Sequence, residues 1–174
     1  MDIERQIRRD IRARIDRLQA IYGNFEVEHV KVENDPDFFE QGVEMARDGW
    51  RGDAGALVRD KQDRVLLIRH AGSSEKWGHP GGGHEPGETM EATAQREVQE
   101  ETGVECELVD VNYARRKTIC LDHDPEQRFQ MLTVIFDAEY QGGSLEISDE
   151  EVFEARWFDE VPENAIEFVQ QRVE

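Results

Sequence analysis

The chain has 174 residues, 40 acidic and 21 basic side chains, and a formal net charge of -19. This length suits one domain with a short extension, and so acidic a field repels a nucleic-acid backbone. No apolar run is long enough to span a bilayer, and the start MDIERQIRRD lacks the apolar core of a signal peptide, so a cytoplasmic protein with no membrane partner is expected.

Residues 2–21 place Ile3, Ile7, Ile11, Ile15, Leu18 and Ile21 on one helical stripe, and Gly23 suits its end. Arg5, Arg8, Arg9, Arg12, Arg14 and Arg17 make this segment basic while everything after it is acidic. The expectation is a helix packed on its own domain or on a second subunit of a homodimer, its arginines facing an acidic body. Phe25–Val32 reads as a strand, and Asn34-Asp35-Pro36 as a turn into a helix over 37–46. Gly49-Trp50-Arg51-Gly52 marks a boundary between an extension, residues 1–49, and the main domain, residues 50–174.

Residues 54–59 and 64–70 read as a hairpin turning through Asp60–Asp63. Trp77-Gly78-His79-Pro80 leads into a glycine loop, where Gly81, Gly82, Gly83 and Gly87 let the backbone approach a ligand. Met90–Thr102 is expected to be helical, capped by Thr89 and by a left-handed Gly103. Strands follow at 104–113 and 129–140, the second apolar on both faces and therefore central. Between them lies a polar loop, Asp122-His123-Asp124-Pro125. A late strand at 154–158 and a helix over 162–173, with Pro162 near its first turn, complete the pattern. Cys106 and Cys120 fit neither a disulfide framework nor a zinc spacing.

On the helix after the glycines, Glu97, Glu100 and Glu101 stand at i, i+3 and i+4 and share one face, with Ala94 and Val98 beside it to pack on the domain. Like charges on one face repel, and a hard divalent cation such as Mg²⁺ relieves the repulsion while keeping positions for phosphate oxygens. Arg96 offers a permanently charged fork that can orient a glutamate or the glycine loop.

The run Gly82-x5-Glu88-x7-Arg96-Glu97-Val98-x-Glu100-Glu101-x-Gly103-Val104 resembles the full signature of the Nudix (MutT-type) hydrolase superfamily. A solvated acidic face is the plain alternative. With about one chance in ten per fixed residue, however, a given frame matches by accident on the order of 10⁻⁷. The resemblance, which covers roughly residues 52–174, implies an α/β/α sandwich around a mixed β-sheet. It also implies an Mg²⁺- or Mn²⁺-dependent pyrophosphohydrolase, cleaving the diphosphate linkage of a nucleoside diphosphate derivative or nucleoside triphosphate. The alternative is a regulatory module of the same fold that binds a nucleotide without cleaving it.

By the same resemblance Glu97 and Glu101 hold metal most directly, with Glu100 close behind. Glu88 either touches metal or caps and orients the helix. Arg96 and a general base outside the box, Glu150 or Glu151, complete the catalytic set. Gly81, Gly82, Gly83 and Arg69 are the candidate phosphate contacts, with Arg115 and Arg116 behind them. His79, His84 and His123 are weaker candidates, and Trp50, Trp77, Tyr113 or Phe129 could stack on a base. The marks of known branches are missing: where the ADP-ribose branch usually has a proline, about sixteen residues after the box, this chain has Cys120.

Only four lysines are present, Lys31, Lys61, Lys76 and Lys117, and an acidic, lysine-poor chain is what salt-adapted proteins show. Self-repulsion falls as the Debye length shrinks from about 10 Å at 0.1 M to about 3 Å at 1 M salt. The melting temperature is therefore expected to rise between about 0.1 M and 2 M KCl. A flat or falling melting temperature in a calorimetric series across that range contradicts the salt-adapted reading.

Overall fold

The computed structural model describes residues 2–173, within which there are four helices and one eight-stranded mixed sheet. Helix α1 (Ile3–Tyr22) is followed by β1 (Val27–Asn34) and α2 (Pro36–Arg47). Next come β2 (Gly52–Arg59), β3 (Val65–His70), β4 (Ser73–Gly78) and β5 (Gly81–Gly83). Helix α3 (Met90–Thr102), β6 (Glu105–Leu121), β7 (Asp124–Gly142), β8 (Val152–Phe158) and α4 (Glu167–Arg172) complete the chain. No described helix is long and apolar enough to cross a membrane.

Helices α1, α2 and α3 begin where a side chain satisfies free N–H groups of the first turn. The Asp2 carboxylate accepts from Glu4 N–H, Asp35 from Asp37 and Phe38, and the Thr89 hydroxyl from Ala92. Gly103 closes α3 at φ 82°, a conformation that glycine adopts without steric cost.

The strands run in the order β1-β6-β7-β2-β3-β4, with β1–β6 and β2–β7 parallel and β6–β7 antiparallel. The apolar strand β7 is central, as its two-faced pattern predicts. One edge of β2 is shared: Asp53–Gly55 pair with β5, whereas only Arg59 pairs with β3. The expected β2–β3 hairpin thus diverges almost at once, because the glycine strand occupies the rest of that edge.

A large core lies between the sheet and α1, α2 and α3, built on Ile7, Ile11, Leu18, Val98, Phe129 and Phe136. A smaller one beneath α4 on the opposite face holds Leu57, Leu67, Trp77, Ile135 and Val169. Helix α1 shares the main core and packs on β6 and β7. Polar ties reinforce it: buried Arg51 donates to Asp10 at 2.8 Å, and Arg14 to the Glu88 carbonyl at 2.9 Å.

Several sequence expectations need correction. The predicted helix over 162–173 is reduced to α4, because residues 164–166 pair with β4 instead. The Trp77 N–H donates to the Asn164 carbonyl, the Ile166 N–H to that of Trp77, and the Asn164 side chain to that of Glu75. The expected glycine loop begins as strand, since Gly81–Gly83 form β5 against β2. The Asp122–Pro125 loop is only a tight hairpin turn, with His123 at φ 67° and Asp122 tied to Asn34 at the outer end of the sheet. That turn does not line the cleft described below.

Ile11 has no exposed surface in the main core, so Ile11→Ala is expected to cost about 2–5 kcal/mol of stability. Urea denaturation checks this. An unchanged midpoint would mean that α1 is not integral to the core.

Candidate active site

The packing of α3 on β2 and β5 places its acidic edge against the glycine strand. The Glu101 carboxylate is 2 % exposed and accepts the Gly81 N–H at 2.7 Å. One turn earlier, Glu97 lies so close to Gly82 that a Cβ there would sit 2.5 and 2.6 Å from its oxygens. A side chain at position 82 would displace the Glu97 carboxylate from the glycine strand. Glu100 stands at the rim, its side chain 52 % exposed. The three glutamates on the acidic face of α3 are therefore unequal: two face the glycine strand and the third faces solvent.

Burial, opposed by the Gly81 N–H and reinforced by the charges of Glu97, Asp149 and Glu151, pushes the Glu101 carboxyl up to about 8. Glu97 is raised too, chiefly by burial, with Arg96 opposing. No cation of the chain forms an ion pair with Glu101 among the described residues.

Arg96 is committed elsewhere. Its guanidinium donates to both Glu88 oxygens at 2.8 and 3.0 Å, to Glu97 at 2.9 Å, to Glu100 at 3.2 Å and to the Gly83 carbonyl at 2.8 Å. Glu88 also accepts from the Glu85 N–H and the Thr93 hydroxyl. Those bonds, Arg96 first, hold its carboxyl down at about 2. Glu88 is thus saturated by the chain itself, and its geometry is that of a residue orienting α3 and the loop before it.

His84 lies buried behind the loop, not on its exposed surface. Its Nε2 donates to the Glu88 carbonyl at 2.8 Å while Nδ1 accepts the Arg51 N–H at 3.3 Å, and burial lowers its proton affinity. A neutral ring with both nitrogens engaged is a fastener and has no nitrogen left for phosphate. His79 does line the cleft, and burial likewise lowers its proton affinity.

On the α4 side of the sheet, a cleft of about 410 Å³ runs over Gly81 and Gly82. Tyr113, Ile135, Ile166 and Phe168 form its apolar wall, and Asp53, Thr133, Arg115 and Lys76 bring polar groups. The Thr133 hydroxyl bonds to Asp53 and accepts from Arg115 at 3.3 Å. The Arg115 Nε is buried without a hydrogen-bond partner, and among the described residues no acidic side chain pairs with this guanidinium. A cation held in that way is available to an anionic ligand.

Other candidates fall outside the cleft. Arg69 donates to Glu154 at 2.9 Å and lies over the Trp77 ring at 4.8 Å and the Phe153 ring at 5.0 Å, so it braces β3 against β8. Arg116 points to the opposite face of β6 from Arg115 and bonds to Gln130. Trp77 and Phe129 are core residues, leaving Tyr113 as the one proposed stacking residue that lines the cleft.

The loop before β8 approaches the acidic edge. Asp149 raises the proton affinity of both Glu97 and Glu101, and Glu151 that of Glu101. Glu151 was legible as a loop carboxylate, whereas Asp149 was overlooked. Its Oδ1 accepts the Glu151 N–H at 2.9 Å, a turn whose only sequence signal is an aspartate shortly before a strand.

Among the described residues no three metal-binding side chains are already gathered as a cluster. The donors present still fit a hard divalent cation. Glu97 and Glu101 offer only oxygen, and among the described residues no cationic side chain pairs with the buried Glu101 carboxyl. Mg²⁺ typically takes one or two carboxylates and fills its remaining positions with water and phosphate oxygens.

A family profile for the NUDIX domain matches residues 49–166. Over 64 residues the chain is 38% identical to an RNA pyrophosphohydrolase of Teredinibacter turnerae, covering 37% of each protein. Over 110 residues it is 30% identical to an 8-oxo-dGDP phosphatase of Danio rerio, covering 60% of this chain and 31% of that protein. The chain thus spans only about a third of the length of these curated relatives. The fold is similar to that of a MutT NUDIX hydrolase from Burkholderia pseudomallei, with a TM-score of 0.54 and 21% identity over 71% of this chain and 95% of that one. With the intact box on α3 and a profile match over more than half its length, the chain belongs to the NUDIX domain family.

Proposed function

We propose that the protein is a divalent-metal-dependent pyrophosphohydrolase that cleaves the diphosphate linkage of a small nucleoside diphosphate derivative or nucleoside triphosphate. The observation that carries this reading is the buried, uncompensated Glu101 carboxylate beside Glu97, set against a glycine strand that also floors an arginine-bearing cleft. Such a charge is costly unless a cation joins it.

Glu97 and Glu101 would hold Mg²⁺ or Mn²⁺, with Glu100 at the rim. The bound ion would polarise phosphoryl oxygens and lower the pKa of water. The chain's own groups do the rest. Arg96 fixes Glu97 and the Gly83 carbonyl in one network, so the metal-binding edge and the phosphate-facing loop keep their spacing. Arg115 and Lys76 meet negative charge in the cleft, while the wall around Tyr113 and Phe168 receives the nucleoside. Glu151, on the loop beside the acidic edge, is positioned to take a proton from the attacking water. Glu88 acts through Arg96 as a positioning residue.

The relatives named above are an RNA pyrophosphohydrolase and an 8-oxo-dGDP phosphatase, which makes RNA and 8-oxo-dGDP members of the panel that tests the proposal. With Mg²⁺ at about 2 M KCl, product release is expected from at least one nucleotide. Glu101→Gln and Glu97→Gln should each lower apparent metal affinity or turnover by about 10- to 100-fold. Near-normal turnover in both variants would place the metal away from α3. Tight nucleotide binding by calorimetry, with folded protein and no product over hours, would replace the enzyme with a binding module.

A further inference from the structure

Helix α1 does not turn its arginines uniformly toward the acidic body. Arg14 and Arg17 reach the start of α3, at the Glu88 carbonyl and the Glu91 carboxylate. Arg5, Arg8, Arg9 and Arg12, at i, i+3, i+4 and i+7, instead stay exposed on one face. With Arg116 of β6 they line a hollow of about 280 Å³ to which no other described residue contributes. Arg8 has a long contact with Glu4, 3.8 Å, while Arg5, Arg9 and Arg12 form no ion pair among the described residues. The Arg116 Nη2 donates to the Arg8 carbonyl at 3.3 Å, which fixes the strand arginine against the helix.

Five guanidinium groups around one small hollow repel each other. Burial first, then the facing charges of Arg8 and Arg12, weaken the hold of Arg116 on its proton. In a chain this acidic, assembling such a hollow costs energy that an anion would recover. We propose that this hollow is a second anion site, separate from the catalytic cleft, that takes a compact oligophosphate through bidentate guanidinium contacts.

The surroundings favour that ligand class. Guanidinium forks match phosphate oxygens in pairs and are weakly hydrated. An extended nucleic acid would have to cross a body more acidic than the chain's net charge implies. A protein partner would seek an apolar centre, and none of the large exposed apolar side chains, such as Phe38, Met45 or Phe153, lies in the hollow. Separation from the cleft follows from strand alternation. Neighbouring residues of β6 point to opposite faces, so Arg115 serves the cleft and Arg116 the hollow. The two sites stand back to back across one strand.

The test is calorimetric titration of the metal-free full-length chain with inorganic tripolyphosphate at about 0.1 M KCl, where screening is modest. The triple variant Arg5→Gln, Arg9→Gln, Arg12→Gln alters only exposed, unpaired side chains, and matching thermal melts will confirm its fold. Its affinity is expected to fall about tenfold or more, whereas Arg115→Gln leaves this binding event intact. Because the titration needs no turnover, its result is independent of the hydrolase proposal. Equal affinity in parent and triple variant overturns the site. Tighter binding of a 5′-phosphorylated RNA of about 20 nucleotides, lost in the same variant, overturns it in favour of an RNA surface. A change of oligomeric state in the triple variant by sedimentation overturns it in favour of a contact between copies.

Discussion

The arrangement depends on one buried contact, the Glu101 carboxyl accepting the Gly81 N–H in a place where no cationic side chain among the described residues pairs with it. A carboxylate in such surroundings has two stable conditions: protonated, or joined by a cation from outside. In the metal-free protein the folded state keeps a proton that the unfolded chain has released. Stability therefore falls as pH rises from 4.5 through about 8. A divalent ion bound there would remove that cost and so couple metal binding to the folding of the strand and the helix together.

The same contact explains why Arg96 sits where it does. An arginine placed on Glu101 would neutralise the site and leave nothing for metal. Arg96 lies one step away and spends its donors on Glu88, Glu97, Glu100 and Gly83. Behind this network, α1 holds the loop from the rear. Arg14 and His84 both donate to the Glu88 carbonyl, and Arg51 joins the base of the loop to Asp10. The N-terminal helix thereby braces the catalytic loop, a role that its amphipathic stripe alone did not reveal.

What the sequence made legible was local. The caps at Thr89 and Gly103, the burial of Ala94 and Val98, and the acidic face of α3 all follow from spacing along one helix. The central place of β7 follows from its two apolar faces. Less legible was whatever depends on partners distant in the chain. Residues 164–166 have helical neighbours but bond to β4, and the glycine strand takes an edge of β2 that a simple hairpin would have filled. Arg69 looked free for phosphate because Glu154 lies 85 residues away. The arginines of α1 divide between loop and solvent according to helix rotation against the sheet, which composition cannot specify.

The most direct test of the central claim is the titration of Glu101 itself, followed by carboxyl-carbon NMR on metal-free protein with and without Mg²⁺. The account predicts a midpoint of about 8 without metal and an ionised carboxylate across the neutral range once Mg²⁺ is bound. An ordinary midpoint near 4.5 without metal, or a raised one that Mg²⁺ leaves unmoved, would contradict it.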